Sequence, residues 1–151
     1  MTITSTISTV ADSISNLTIS GVTIKDIDAI PDTARMLCPL LIPQPNNFVS
    51  DIAVSFETFG SNGSPKINTN YTLNYVFLFC ETGSGINAFA AFSGLMTKLS
   101  AILVAINSND TITGAVDMKI NSIGNIGVIV DPAGIEFWGL EFSLRVLEYS
   151  Q

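Results

Sequence analysis

The sequence predicts an α+β domain: an antiparallel sheet of at least four strands with two helices packed on one face. Three observations lead there. Apolar residues recur at spacings of three and four in two separate segments, and they alternate with polar residues in at least four others. The strand-like segments also come in pairs on either side of the longer helical one, instead of alternating with helices as a parallel sheet requires. At 151 residues the chain reads as one domain, 1-151, large enough to bury a core without a disulfide or metal.

Ile3, Ile7, Val10, Ala11, Ile14 and Leu17 mark the first helix, and Gly21 is placed to end it. Val22 to Ile27 alternates as a short strand. Pro31, Pro39, Pro43 and Pro45 then leave room for a brief helical turn around Asp32 to Leu37 and an extended connector. The apolar run from Leu37 to Pro43 lays that connector on the body of the domain. Asp51 to Phe59 alternates, with Ile52, Val54 and Phe56 on one face. Tyr71 to Cys80 is a longer strand, with Tyr71, Leu73, Tyr75, Phe77 and Phe79 together. The two form a hairpin whose loop, Gly60 to Asn70, exceeds the usual span of about two to five residues.

Ile86 to Ser108 is the main helix. Phe89, Phe92, Leu95, Met96, Leu99, Ile102, Leu103 and Ile106 fall at helical spacing, and small residues such as Ala90, Gly94, Ala101 and Ala105 form the opposite face. Ala115 to Ile123 and Gly124 to Val130 read as two strands. The turn Asp131-Pro132-Ala133-Gly134 follows, then a long strand from Ile135 to Tyr149 with Trp138, Leu140, Phe142, Leu144 and Val146 on its inner face.

Composition narrows the chemistry. The chain has no histidine, which excludes Ser-His-Asp and Cys-His catalysis and nearly every common zinc site. Charged residues make up 13%, so Ser, Thr and Asn, 42 of the 151 residues, supply the polarity. A net charge of −7 argues against stable nucleic-acid binding, which depends on neutralising phosphates. Cys38 and Cys80 lie 42 positions apart without a C-x-x-C motif and read as reduced core thiols. The first cation is Lys25, so no signal peptide is expected. Lys98, in the middle of the apolar stretch from Ile86 to Ile106, argues against a membrane span.

The constellations that might carry chemistry each have a plainer reading. Gly83-Ser84-Gly85-Ile86-Asn87-Ala88 matches G-x-G-x-x-A before a helix, where backbone N–H groups can hold a pyrophosphate. No acidic ribose ligand ends a following parallel strand, so a glycine turn is the expectation and no cofactor is predicted. Asp26, Asp28 and Asp32 alternate as a hard-cation site would need, but they also suit a cap for the turn that Pro31 begins. Glu57, Asp117, Glu136 and Glu141 lie at strand-surface positions where an acid pair for glycoside hydrolysis is not expected. No catalytic residue and no metal are predicted. Glu141 and Arg145 stand four apart on the outward face of the last strand. Phe59, Phe137, Leu147 and Tyr149 would add exposed apolar surface there, which predicts a subunit contact.

The region Asp28 to Pro31 with its proline-rich connector, the strand Tyr71-Thr72-Leu73-Asn74-Tyr75, the long helix running into Asn109-Asp110 and the closing Phe137-Trp138-Gly139-Leu140-Glu141-Phe142-Ser143-Leu144 together resemble the tail terminators of long-tailed bacteriophages. The resemblance spans most of the chain as an order of elements, without one diagnostic motif. It implies a non-enzymatic virion protein of the tail or neck, assembled in the host cytoplasm. The family forms a ring, usually sixfold, that sits on the last tail-tube ring, stops tube growth and faces the head-side connector or stopper. DNA passes through such a ring without specific binding. On this reading the loop bearing Phe59, Gly60, Ser61, Asn62, Gly63 and Lys66, and the turn at Asp131 and Pro132, are stacking contacts, and Phe137, Glu141, Arg145, Leu147 and Tyr149 join them as interface residues. Another neck or tube-like phage protein, or a small nucleotide-binding domain using Gly83 to Ala88, are the alternatives.

Overall fold

The computed structural model describes residues 3–57, 66–109, 111–112 and 116–150. In chain order the elements are α1 (Ile3–Ser15), β1 (Thr23–Ile24), β2 (Leu40–Pro43), β3 (Val49–Glu57), β4 (Lys66–Glu81), α2 (Ala88–Asn107), β5 (Thr111–Ile112), β6 (Val116–Val130) and β7 (Glu136–Ser150). They form an α+β domain with one sheet. Its centre is the antiparallel pair β4 and β7, which sets Leu73 against Leu144 and Tyr75 against Phe142. β6 lies antiparallel on the far side of β7, and β5 touches only its first residues, Val116 and Asp117. On the opposite edge of β4, β2 and β3 follow one another, pairing with Tyr75 to Leu78 and with Lys66 to Leu73. The pairing of β1 with β2 is parallel, so a two-residue edge strand makes the otherwise antiparallel sheet mixed.

The alternation of β4 and β7 decides where the core sits. Tyr71, Leu73, Tyr75 and Phe77 share a face with Leu140, Phe142, Leu144 and Val146, all buried. Both helices cover that face: α1 with Val10, Ala11 and Ile14, α2 with Leu95, Leu99, Ile102 and Ile106. Tyr75 stacks on Phe142 with ring centres 5.6 Å apart and planes 10° from parallel, an arrangement worth roughly 1 kcal/mol beyond area burial. Asn87 caps α2 by accepting the Ala90 N–H at 2.9 Å, and Lys98 Nζ donates to the Ser20 carbonyl at 2.8 Å, tying α2 to the turn after α1. By length and composition α2 would pass for a membrane span, but its inner stripe packs into this core.

Several expectations are corrected. Phe89 and Phe92 are 83% and 52% exposed, because Ala91 and Leu95 occupy the inner face of α2 and Gly94 makes room for the Phe79 ring. Gly124 to Val130 is not a separate strand: β6 runs from Val116 to Val130 and is interrupted by bulges between Ile120 and Ser122 and between Gly124 and Gly127. The hairpin loop is shorter than expected, since β4 resumes at Lys66. The second sheet face is also not wholly open. Leu40, Ile42, Val76, Leu78 and Phe137 form a smaller cluster under Ala34, with Ile30, Leu37 and Cys38 packed against it. Burial there pushes the Cys38 thiol up to about 12, and the neighbouring Cys80, Glu81 and Asp131 add to the effect. Both cysteines are free, but they are only part-buried, at the margin of the core rather than within it.

Asp26 caps the 3-10 turn Ile27–Ala29 and accepts the Ile27 N–H. Burial raises its carboxyl above the ordinary range, and a hydrogen bond shared with Asp12 on α1 and repulsion from Asp28 raise it further, against the lowering by Ile27. A carboxyl raised by folding contributes stability that is full below its unfolded value and is lost as pH rises through the folded one. Asp26→Asn is therefore expected to melt higher than the unaltered chain at pH 7, with the difference closing as pH falls below about 4. Thermal melts at a series of pH values check it; a difference that persists at low pH defeats it.

Candidate interface surfaces

Of the residues predicted to meet neighbours, Phe59, Gly60, Ser61, Asn62 and Gly63 lie outside the described residues. Lys66 opens β4 opposite Glu57, and Tyr149 pairs with Asn68 in the sheet. Phe137 does not serve as exposed surface: it is fully buried in the second cluster. The strand parity that puts it outward is right, but residues 30–38 cover that end of the sheet. Leu147 is half-buried opposite Asn70 and Asp117.

Asp131 is buried rather than projecting. The D-P-A-G turn suggests a projecting tip, yet the side chain is 6% exposed. Its Oδ2 accepts the Ala34 N–H at 2.8 Å and the Thr33 hydroxyl at 3.0 Å. Its Oδ1 accepts the Ala133 N–H at 3.0 Å and the Ile135 N–H at 2.9 Å. Burial pushes the carboxyl up, but these donors outweigh it and hold it below the usual carboxylate range. Asp131 pins the segment over the second cluster to the β6–β7 turn, and Pro132 remains exposed beside it.

Glu141 and Arg145 do project from the second face of β7, but not as an ion pair. Arg145 donates to Thr72 Oγ1 at 3.1 Å and to Asn70. Glu141 accepts from Gln44 Nε2 at 3.0 Å and from Asn125 Nδ2. Between them Ser143 donates to Asn74 Oδ1 at 2.9 Å, and Asn74 Nδ2 donates to the Asn47 carbonyl. This face is thus a ladder of amide and hydroxyl bonds. Beside Glu141, between β2 with its following turn and the end of β6, runs a groove of about 720 Å³.

The surfaces that sequence reasoning missed are apolar. Phe89, Phe92 and Val104, the last 66% exposed, line the outer side of α2, and Ile52 and Val54 stand exposed on β3. On β6, Ile126, Val128 and Val130 are exposed as well. The signal for the helix was the near-equal hydrophobicity of its two sides, which leaves the buried stripe ambiguous.

The alternative chemistries find little geometry. Gly83 and Gly85 belong to a 3-10 turn, Thr82–Ser84, and its left-handed cap. β4 and β6 each pair with β7 between them, so no adjacent parallel strand follows α2. Among the described residues no three Cys, Asp or Glu side chains converge as a metal site needs. Asp117 and Glu136 sit near opposite ends of the β6–β7 pair, with Glu141 between them. No protein-family model matches the chain, and no curated protein matches it.

Proposed function

We propose that the chain is a structural subunit that closes into a ring on the end of a phage tail tube, halts tube growth and offers a surface to the head-side connector. The observation that carries the reading is the exposure of large apolar side chains on two separate surfaces, α2 and β3, in a chain with 13% charged residues. Contiguous exposed apolar surface marks interaction sites, and a contact between two different surfaces of identical copies is heterologous, the kind that closes rings. The tail-terminator identity of that ring rests on the resemblance in element order; another neck or tube-like phage protein is the alternative. Each copy carries −7, and any acidic groups facing the lumen would repel DNA phosphates and let DNA slide.

Two experiments test it. Disruption of the gene is expected to give free heads and tails of abnormal length, and head-attached tails of normal length would end the proposal. The purified chain is expected to elute as a ring-sized oligomer, and Phe89→Glu is expected to shift it to monomer with its melting temperature unchanged, since the side chain is 83% exposed. Light scattering that finds the same mass for both proteins would remove α2 from the interface.

A further inference from the structure

The groove beside Glu141 is bordered by the outer edge of β6. Among the described residues, nothing pairs with the outer edge of β6 beyond Asp117, so alternate backbone N–H and C=O groups along it are open. Natural sheets blunt such edges with charges or proline. Here no charged residue and no proline occurs from Ile120 to Val130, and Ile126, Val128 and Val130 are exposed. A bulge does turn the strand between Gly124 and Gly127, but Gly127 to Val130 beyond it keeps a regular register with β7.

The charge of the groove is one-sided. Its walls include Ile42, Val76, Leu78 and Ile129, with Gln44 and Glu141 as polar members, and no Lys or Arg lines it. Asp131, at one end, is saturated by its four donors. Glu141 receives two amide N–H groups, while an ionised carboxylate offers about four acceptor sites. Among the described residues no cation pairs with its negative charge, and it has room for one. Gly124 stands opposite Glu141 in the register, and a Cβ there would meet no residue beyond its chain neighbours within 4 Å. Of those neighbours, Asn125 already bonds one Glu141 oxygen, so a side chain from the open edge would reach the carboxylate beside that amide.

We propose that the edge Gly124 to Val130 takes an extended segment of a protein partner by strand addition, with a lysine or arginine of that segment reaching across Gly124 to Glu141. The added strand would lie two strand spacings, roughly 10 Å, from the Glu141 backbone, a span that extended Lys and Glu side chains cover together. Main-chain bonds supply affinity in such a mode, and the pocket for alternate side chains supplies selectivity. The apolar groove would receive the residues flanking the cation. The inference stands whether or not the chain closes into a ring.

The test uses the full chain and two labelled peptides, acetyl-Thr-Val-Lys-Val-Thr-amide and the same peptide with Glu in place of Lys. Fluorescence anisotropy is expected to show the lysine peptide binding at least about tenfold tighter, a preference that shrinks with added salt. Hydrogen exchange should slow at residues 124–130. Glu141→Gln is expected to cut the preference to below about twofold. Equal binding of the two peptides, protection confined to another surface, or no binding at millimolar peptide would each overturn the proposal. If Glu141→Gln fails to fold, the comparison of the two peptides on the unaltered chain decides alone.

Discussion

Gly139→Ala is expected to destabilise the domain by about 2–3 kcal/mol, a fall in melting temperature of roughly 5–10 °C for a chain of this size. Gly139 sits in β7 opposite Leu78 and Gly127. A methyl group there would overlap the backbone carbonyl oxygen of Phe77 and press on Ile129 and Leu78. A side chain could rotate aside, but that carbonyl belongs to the β4–β7 pair at the centre of the sheet. Relief requires the two central strands to part locally. Gly124→Ala is the matched control, because its methyl group would meet nothing within 4 Å. It is expected to change stability by no more than about 0.5 kcal/mol. Chemical denaturation of the three proteins checks both; similar midpoints for the two variants would refute the account of Gly139.

Asp131→Ala is expected to cost about 3 kcal/mol. The substitution leaves the Ala34 and Ile135 N–H groups, which now donate to the carboxylate at 2.8 and 2.9 Å, without that acceptor, and an unmet donor costs more than a typical bond contributes. The loss should fall first on residues 30–38, whose attachment to the β6–β7 turn runs through Asp131. Hydrogen exchange should then show Ala34 and Leu37 opening before the central strands. The pH dependence has the opposite sense to that of Asp26. A carboxyl lowered by folding contributes stability that is present above its unfolded value, about 3.9, and is lost as pH falls through the folded one. The unaltered chain should lose stability on acidification in that range, and the Asp131→Ala variant should lose less. Parallel pH profiles for the two proteins would contradict the assignment.

How legible the fold was in the sequence depended on whether one local pattern decided each element. β7 was plain because Leu140, Phe142, Leu144 and Val146 alternate without interruption over a strand of 15 residues. In the sequence β6 reads as two strands because its bulges reset the alternation, and a bulge has no reliable signature in side-chain chemistry. The spacing predicts α2 close to its observed bounds but points to the wrong buried stripe in its first turns. Phe89 and Phe92 are larger than Ala91, and only the position of Phe79 against Gly94 shows why the smaller residue goes inward.

The candidate sites were less legible for the same reason. The local sequence accounts fully for a turn at Asp131 to Gly134, so nothing nearby signals that Asp131 also holds Thr33 and Ala34, 98 and 97 positions away. Phe137 was assigned outward by parity, and its cover comes from an equally distant segment. Glu141 and Arg145 were placed correctly on the outward face, yet their amide partners Gln44, Asn125 and Asn70 are set by sheet order. Polar bonds across the sheet are a property of topology, which single-segment patterns do not encode.

The position of β7 between β4 and β6 also bears on how the chain reaches this fold. β7 follows every other strand in sequence, and its register joins residues as remote as Leu73 and Leu144. Pairings of that separation close large loops before any contact repays them, which slows folding. On the ribosome β4 and α2 emerge well before the strand that is to stand beside β4. Until it arrives, one edge of β4 is bare, and its aromatic residues have only the helices to shelter them. The interval between synthesis of β4 and of β7 is therefore when the nascent chain is most open to chaperones and to aggregation.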